Sequence, residues 1–352
     1  MPEIDIVLGN KEKKDIVKYV EQYIENLQRR TDFDRKEPTP IVKVADISKQ
    51  QEFDEYGCVT YTEKSRTTIK IQDGCNNFCT YCLIPYARGR IRSRKRENIL
   101  KEAENIAKQG IKEIVLTGIH IASYGRDFEE EYKLIDLLED LNKVEGIERI
   151  RLGSLEPTII TDEFVQRLAK LEKVCNHFHL SLQSGCDETL KRMNRKYTTE
   201  EFKEVTKRLR EKFENVNLTT DIIVGFPGET EEEFNSTYKF LQDIAFYKMH
   251  IFKYSKRDGT VAAKMQNQVD GNIAEERSKK FIELSNKNEL MYNQSYIGEE
   301  VEVLFEEKQG NFWLGHTTNY MVVKVKSEEN LENKILKMKI EEVENEGLIA
   351  KK

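Results

Sequence analysis

Residues 74–89 read Gly-Cys-Asn-Asn-Phe-Cys-Thr-Tyr-Cys-Leu-Ile-Pro-Tyr-Ala-Arg-Gly, and the three cysteines of this stretch decide how the chain is interpreted. Cys75, Cys79 and Cys82 are separated by three residues and then by two. Thiolates this close together on one loop can converge on a single soft metal centre. No fourth cysteine follows at ligand spacing, so the pattern favours a cubane iron–sulfur cluster with three thiolate ligands and one open iron.

Two other sites are compatible with the three cysteines. A structural zinc site needs four closed ligands, and His120 is the best available fourth ligand. The position of His120 in the sequence nevertheless favours a loop or core histidine over a metal ligand. A disulfide with one spare thiol is less favoured still, because nothing marks the chain as secreted.

The same stretch resembles the cluster-binding loop of the radical S-adenosylmethionine (SAM) enzymes, whose pattern is Cys-x3-Cys-x-aromatic-Cys, with Tyr81 as the aromatic residue. The flanking residues 71–76 and 83–89 are similar to a narrower group, the tRNA methylthiotransferases, and most similar to those that modify threonylcarbamoyladenosine beside the anticodon. The resemblance implies that the three cysteines hold a catalytic [4Fe–4S] cluster. It also implies that S-adenosylmethionine binds the open iron, where the reduced cluster splits it into methionine and a 5′-deoxyadenosyl radical.

Composition indicates a soluble globular protein of two or three domains. The chain has 352 residues, of which 34% are charged and 38% hydrophobic. No apolar run reaches membrane-spanning length and no signal peptide is recognisable, so we expect a cytoplasmic protein. Cys58, Cys175 and Cys186 are scattered, and we expect them to be ordinary small or buried residues.

A basic run follows the cysteine loop, although the net charge of the whole chain is −6. Between residues 86 and 96 there are six basic residues and no acidic one. The run predicts a local anion site, and we expect four of its arginines to contact RNA: Arg88, Arg90, Arg92 and Arg94. The alternative is a solvated basic turn that opens a helix, where the helix dipole disfavours cations.

The middle of the chain predicts an α/β fold. Residues 1–30 contain a strand and a helix that resemble the end of a larger methylthiotransferase domain, and residues 31–65 are predicted to be an irregular linker. Strand-like and helix-like segments then alternate through the predicted core, residues 66–290, which indicates a parallel sheet with helices outside. Six strands are too few for a closed eight-stranded barrel, so they suit a partial (βα)6, TIM-like radical SAM barrel. Chemistry in such folds sits at the carboxyl ends of strands.

Residues 291–352 alternate apolar and polar positions, which predicts a small antiparallel β-barrel or sheet. Its length, position and pattern resemble the RNA-binding TRAM barrel that is appended to methylthiotransferases. Residues 293–352 contain eight lysines and 12 glutamates. Generic attraction to phosphate is therefore weak, and any RNA contact must come from a local face.

The resemblance also suggests which residues hold S-adenosylmethionine at the ends of the later strands. Glu156 and Ser154 are candidates for the methionine ammonium or a ribose hydroxyl, although a turn that caps the next helix would explain them as well. Arg195 is expected to pair with the methionine carboxylate. The remaining candidates are Tyr81, Gly118, Gln183 for the ribose, and the glycine turn Gly225 and Gly228. Thr230 and Glu233 predict a capping box, which is a structural role.

The resemblance implies an enzyme that replaces a C–H at carbon 2 of N6-threonylcarbamoyladenosine with a methylthio group. Its expected partners are the anticodon arm of tRNA, whose splayed bases are accessible, and an electron donor such as a flavodoxin or ferredoxin. A methylthiotransferase acting on isopentenyladenosine or on a ribosomal protein aspartate is a near alternative. A non-enzymatic RNA-binding protein with zinc in the cysteine loop is an alternative from another class.

The sequence departs from the pattern of the family at the N-terminus. Complete family members carry a further domain whose three cysteines hold a second [4Fe–4S] cluster, which is implicated in sulfur delivery. Those ligands are absent from this sequence, which suggests a truncated form. The expectation is that this chain alone retains cofactor cleavage but loses sulfur insertion.

Overall fold

The computed structural model describes residues 4–28, 40–55, 65–344 and 347–351. The first two of these ranges contribute one strand each to a small two-stranded sheet. Strand β1 (Ile6–Leu8) pairs in parallel with β2 (Ile41–Lys43). Helix α1 (Ile16–Gln28) lies between the two strands in the sequence. The expectation of an irregular linker over residues 31–65 was therefore wrong at β2, because two apolar residues between Pro40 and Lys43 are too short a run to predict a strand. Residues 31–39 and 56–64 of that linker, including Cys58, lie outside the described residues.

Six parallel strands form an open half-barrel within the described residues, as the alternation of the sequence predicted. They are β3 (Arg66–Asp73), β5 (Glu113–Gly118), β6 (Arg149–Leu152), β7 (His177–Gln183), β8 (Asn217–Val224) and β9 (Lys248–Lys253). A two-residue strand, β4 (Arg92–Ser93), adds to the edge of β3 in antiparallel orientation. Two parallel bridges, Ile150 to Val174 and Leu155 to Leu180, join the sheet that ends at β6 to the sheet that begins at β7.

Helices cover the outside of the half-barrel. They are α2 (Ile84–Ala87), α3 (Arg96–Lys108), α4 (Leu134–Leu141), α5 (Asp162–Leu168), α6 (Asp187–Arg192), α7 (Thr199–Lys212), α8 (Glu231–Ile244) and α9 (Gly271–Gln294). The predicted capping box of α8 is confirmed, because Thr230 Oγ1 accepts from the Glu233 amide while the Glu233 carboxylate accepts from the Thr230 amide. Strands and helices enclose one large apolar core that includes Ile69, Leu116, Ile150, Phe178 and Ile222.

The C-terminal residues form a closed five-stranded barrel. Its strands are β10 (Glu300–Gln309), β11 (Phe312–Thr317), β12 (Val322–Lys326), β13 (Ile335–Glu344) and β14 (Gly347–Lys351), in the order β10-β11-β12-β14-β13. The expectation of a purely antiparallel barrel needs one correction, because β12 and β14 pair in parallel to close it. Closure removes the free strand edges that would otherwise invite pairing with other chains.

Buried arginines attach this barrel to the amino ends of the half-barrel strands. The Arg149 guanidinium donates to the carbonyls of His316 (2.9 Å) and Glu302 (3.2 Å), and Arg151 donates to those of Thr318 (3.0 Å) and Thr317 (3.2 Å). The carboxylate of Glu113, which is 1% exposed, lies 2.8 Å from Arg151 Nε and 3.9 Å from Arg149 and from Arg66. Arg149 and Arg66 also have closer partners, since Glu302 lies 2.9 Å from Arg149 and Glu306 lies 3.2 Å from Arg66. Among the described residues, Glu113 is the carboxylate that pairs with Arg151.

Among the described residues, no helix combines the length and the apolar character needed to cross a lipid bilayer.

We expect Glu113→Gln to lower the free energy of unfolding by about 3–5 kcal/mol, because it leaves the buried Arg151 without its counter-charge. Urea unfolding followed by circular dichroism measures the change. The matched control is Glu131→Gln, which removes an exposed carboxylate paired with Lys133 and should change stability by less than about 1 kcal/mol. Equal effects of the two substitutions would contradict the importance of the buried cluster.

Candidate active site

The cysteine loop follows the carboxyl end of β3 and is closed at its base by backbone contacts. The Cys75 amide donates to the Gly89 carbonyl (3.1 Å), and the Cys82 amide donates to the Cys79 carbonyl (3.0 Å). Gly74 begins the loop with a φ of +72°, and a Cβ atom there would lie 1.8 Å from the Arg90 carbonyl oxygen. The loop therefore requires glycine at its first position.

The three thiols fit a cluster site. All three are free and partly exposed, and backbone amides lie near two of the sulfurs, Asn77 N at 3.4 Å from Cys75 Sγ and Ile84 N at 3.4 Å from Cys82 Sγ. Burial raises the pKa of Cys75 to about 11, and the neighbouring Cys79 and Cys82 add to this rise. Three such thiols repel one another as thiolates unless a cation binds them, and iron supplies that charge.

The segment after α6 holds the cysteine loop from one side. The Thr80 hydroxyl donates to the Arg192 carbonyl (2.8 Å) and the Thr80 amide to the Met193 carbonyl (3.1 Å). The Asn194 side-chain amide donates to the carbonyls of Asn77 (3.2 Å) and Phe78 (2.9 Å). These contacts explain why Arg195, which the sequence analysis singled out, lies against the cysteines.

Arg195 directs its guanidinium into the same site. Its Nη1 lies 3.3 Å from Cys79 Sγ, its Nη2 donates to the Ser181 carbonyl (3.1 Å), and its Nε donates to the Tyr197 hydroxyl (3.0 Å). Burial opposes its charge, yet the surrounding Tyr197, Tyr81, Cys79 and Glu156 hold the pKa of Arg195 well above its ordinary value. The site therefore carries a fixed positive charge beside Cys79.

Glu156 supplies the opposite charge. Its carboxylate is 3.5 Å from Arg195 Nη2, 2.8 Å from His120 Nε2 and 3.0 Å from Asn77 Nδ2. Burial tends to raise the pKa of Glu156, but the contacts to His120, Arg195 and Asn77 outweigh it and lower the pKa to about 2. His120 thus contacts a carboxylate in this site, consistent with its assignment as something other than a metal ligand.

Tyr81 and Gln183 meet at the end of β7. The Tyr81 hydroxyl donates to Gln183 Oε1 (3.2 Å), and its ring packs edge-on against Phe226. Gln183 adopts a φ of +71°, which is uncommon for a residue with a side chain. Such strain is concentrated at functional sites, so it supports the selection of Gln183 as a ligand contact.

The other predicted contacts also lie at the carboxyl edge. Gly118 ends β5, Ser154 follows β6 with its hydroxyl 2.7 Å from that of Ser181, and Gly225 follows β8. A Cβ atom at Gly225 would lie 2.8 Å from that of Ala274 in α9, and one at Gly228 would lie 3.4 Å from Arg192 Nε. Close packing therefore explains why glycine occupies these two positions. A contact between their turn and the cofactor stays a prediction.

The expected row of RNA-contacting arginines needs correction. Arg94 is buried and paired with Glu55 and Glu102, and Arg92, 2% exposed, donates to the carbonyls of Arg88 and Arg90. Arg88 is partly buried and makes a two-point contact with Asp73, at 3.0 and 2.7 Å. Arg90 is the one member of the four that is exposed, with its guanidinium 4.6 Å from the centre of the Phe78 ring.

Three site residues were missed from sequence: Asn77, Tyr197 and Gln72. The Gln72 side chain is fully buried and donates to the carbonyls of Asp73 and Gly74, while its oxygen accepts from the His120 amide (2.7 Å). It thereby ties the start of the cysteine loop to the end of β5. The available signal was a polar residue directly after Ile71, two positions before the loop.

The chain is similar to several proteins of known activity. Residues 69–241 match the Radical SAM superfamily. The chain is 42% identical over 346 residues to threonylcarbamoyladenosine tRNA methylthiotransferase MtaB of Bacillus subtilis, which covers 97% of this chain and 74% of that protein. It is 44% identical over 277 residues to tRNA-2-methylthio-N(6)-dimethylallyladenosine synthase of Alkaliphilus oremlandii, which covers 78% of this chain but 59% of the relative. Among solved structures, coproporphyrinogen III oxidase (HemN) from Escherichia coli aligns with a TM-score of 0.47 and 14% identity over 73% of this chain and 68% of that chain.

We expect Cys79→Ala to abolish binding of a [4Fe–4S] cluster, because two thiolates cannot hold the cubane in place. Iron and acid-labile sulfide are measured after anaerobic reconstitution, together with formation of 5′-deoxyadenosine. Cys186→Ala, which removes a buried thiol outside the loop, should keep both. Full iron content or unchanged cofactor cleavage in Cys79→Ala would contradict the cluster assignment.

We expect the contribution of Glu156 to stability to depend on pH. Its pKa is lowered from 4.5 to about 2, so the contribution is fully present above pH 4.5 and is lost as the pH falls toward 2. The difference in unfolding free energy between the wild type and Glu156→Gln should shrink by about 3 kcal/mol over that range. Ser154→Ala, the control, should show a difference that does not vary with pH.

Proposed function

The chain belongs to the radical SAM tRNA methylthiotransferases, and on this basis we propose that it replaces the hydrogen at carbon 2 of N6-threonylcarbamoyladenosine in tRNA with a methylthio group. The observation that carries the choice of nucleoside is the 42% identity to a relative named for that substrate, which runs over 97% of this chain. The identity includes the segments before and after the half-barrel as well as the shared catalytic core.

The cofactors are a [4Fe–4S] cluster, for which Cys75, Cys79 and Cys82 are the ligands on this chain, and S-adenosylmethionine. When bound, they supply the one-electron chemistry that breaks an unactivated C–H bond. The chain's own residues bind and orient the cofactor, and the half-barrel and its loops exclude water from the reacting centre.

The Arg195 and Glu156 pair suits the amino-acid end of S-adenosylmethionine. This end carries a carboxylate and an ammonium side by side, and the pair presents a buried guanidinium and an ionised carboxylate 3.5 Å apart. Arg195 would bind the carboxylate through charge-assisted hydrogen bonds, and Glu156 would accept from the ammonium. The Gln183 side chain, held by the Tyr81 hydroxyl, would accept a hydrogen bond from a ribose hydroxyl or donate one to it.

An exposed aromatic and basic patch beside the cysteine loop is a suitable surface for the RNA. It consists of Arg90, Phe78 and Tyr86; the rings of Phe78 and Tyr86 meet edge-on with centroids 5.7 Å apart, and Tyr86 is 61% exposed. Unpaired bases stack on aromatic rings while guanidinium groups contact phosphates. The patch borders the cysteine loop, because Phe78 lies between Cys75 and Cys79 in the sequence.

We assign residues 66–290 to the catalytic core and residues 291–352 to a TRAM-like RNA-binding barrel, preceded by the N-terminal strand and helix of residues 1–30 and by the segment 31–65. On the barrel, Lys326 lies over the partly exposed Phe312 ring, which gives the acidic module one local basic and aromatic contact. A small redox protein such as a flavodoxin or ferredoxin would supply electrons. The cytoplasm, where tRNA is modified, would be the location.

Nucleoside mass spectrometry tests the proposed substrate. We expect tRNA from cells that lack the gene to lose the methylthio derivative of threonylcarbamoyladenosine and to accumulate the unmodified parent. Restoration of the gene should reverse the change, whereas a gene encoding Cys79→Ala should not. An unchanged level of the methylthio derivative in the deletion strain would contradict the proposal.

Methylthiolation of dimethylallyladenosine is the second candidate, favoured by the 44% identity to the synthase of Alkaliphilus oremlandii over 78% of this chain. The same nucleoside analysis separates the two candidates, because the two methylthio products differ in mass. Loss of the dimethylallyl product alone would establish the second candidate in place of the first.

We expect Arg90→Ala to weaken tRNA binding and to lower the slope of log affinity against log salt concentration by about one, because one phosphate contact is lost. Filter binding over a range of salt concentrations measures both quantities. Arg208→Ala is the matched control, since it removes one arginine from the outer helix α7, where it pairs with Asp162. Equal slopes for Arg90→Ala and the wild type would show that Arg90 does not contact a phosphate of the RNA.

A further inference from the structure

Four of the chain's five histidines line one cavity, and none of the four belongs to the site described above. His177, His179, His250 and His316 surround a space of about 290 Å³ between strands β7 to β9 and the C-terminal barrel. His179 precedes Gln183 by four residues, which corresponds to about 13 Å along a strand. The cavity is therefore set back from the carboxyl edge that holds the cysteines.

Three potential metal ligands come from three adjacent strands at this level. His179 lies on β7, Asp221 on β8 and His250 on β9, and Asp221 is the direct register partner of His250. His179 Nε2 is 3.2 Å from Asp221 Oδ2, and one donor atom from each of the three residues lies within 4.8 Å of the others. Donors bound to one zinc ion lie about 3–4 Å apart, so small side-chain rotations complete the geometry.

Thr219 holds the ring of His179 in the orientation that a metal-binding histidine needs. Its hydroxyl oxygen is 3.0 Å from His179 Nδ1 and 3.0 Å from His177 Nε2. The hydroxyl can accept from one imidazole and donate to the other, and a proton on His179 Nδ1 leaves the lone pair of Nε2 directed toward Asp221. Metal-bound histidines usually have their second ring nitrogen fixed by such a contact.

The other charged groups around the cavity are paired with one another. Lys248 Nζ lies 3.1 Å from the Glu289 carboxylate, and His316 Nδ1 lies 2.6 Å from the Glu306 carboxylate. The Asp221 carboxylate therefore faces the two imidazoles without a lysine or arginine in direct contact, among the residues that the structure describes. The side chains of His179 and Asp221 are 16% and 30% exposed, so an ion between them would keep positions open to water or to a ligand.

We propose that His179, Asp221 and His250 bind one divalent transition-metal ion that is separate from the iron of the cysteine loop. Two imidazoles and one carboxylate form a donor set that suits Zn²⁺ or Fe²⁺ and leaves coordination positions unfilled. These positions face the cavity at the junction of the half-barrel and the C-terminal barrel. The ion would join three strands of the catalytic sheet at their middle.

The test uses protein whose cysteine loop is already filled with iron and sulfide, so that the thiolates cannot take up the probe ion. The protein is dialysed against Zn²⁺ and then against metal-free buffer, and zinc and iron are counted per chain by elemental mass spectrometry. We expect one zinc per chain in the wild type. Asp221→Asn and His250→Ala should each lose at least nine-tenths of that zinc while iron content stays the same.

The matched control is His316→Gln, which changes a histidine of the same cavity that lies outside the proposed ligand set. It should keep the zinc. A second measurement does not depend on how the ligand variants fold: a chain with all three loop cysteines changed to alanine should still bind Co²⁺, with visible bands typical of nitrogen and oxygen ligands and no sulfur-to-cobalt charge transfer. A wild type without zinc, or equal loss in His316→Gln, would show that the three residues form a hydrogen-bonded network only.

Discussion

The charge of one buried arginine organises the catalytic edge of this protein. Arg195 contacts the sulfur of Cys79, the carboxylate of Glu156 and the carbonyl of Ser181, which belong to three different segments of the chain. A guanidinium out of water is stable only when anions or carbonyls surround it, so each of these groups is held in place by the need to satisfy it. In the proposed function the same charge faces the carboxylate of S-adenosylmethionine.

The parallel sheet turns distant sequence segments into one site. Each strand of the half-barrel ends at the same edge, and the loop or turn that follows it contributes a different chemical group: thiols after β3, a carboxylate after β6 and an amide at the end of β7. The opposite edge carries the structural charges instead. There Glu113 and its arginines join the strands to the C-terminal barrel, so the two ends of the same strands serve catalysis and attachment separately.

Sequence alone predicted the half-barrel and an all-β module at the C-terminus, because each depends on a local pattern. It failed where a residue's partner lies far along the chain. Nothing near Arg94 in sequence indicates that Glu55 and Glu102 will bury it, and nothing in the run 41–43 indicates that it will pair with β1. Asn77 and Gln72 were missed for the same reason, since their hydrogen-bond partners come from later strands. His250 could be placed beside His179 once the strand order was known.

The attachment of the C-terminal barrel has a consequence for how such a protein can change over evolutionary time. Arg149 and Arg151 hold the barrel mainly through main-chain carbonyls, those of Glu302, His316, Thr317 and Thr318. Carbonyl groups are present whatever the side chain. The side chains of the barrel can therefore change while its attachment to the half-barrel stays the same. A lineage could in this way change what the barrel surface binds without rebuilding the joint between its two modules.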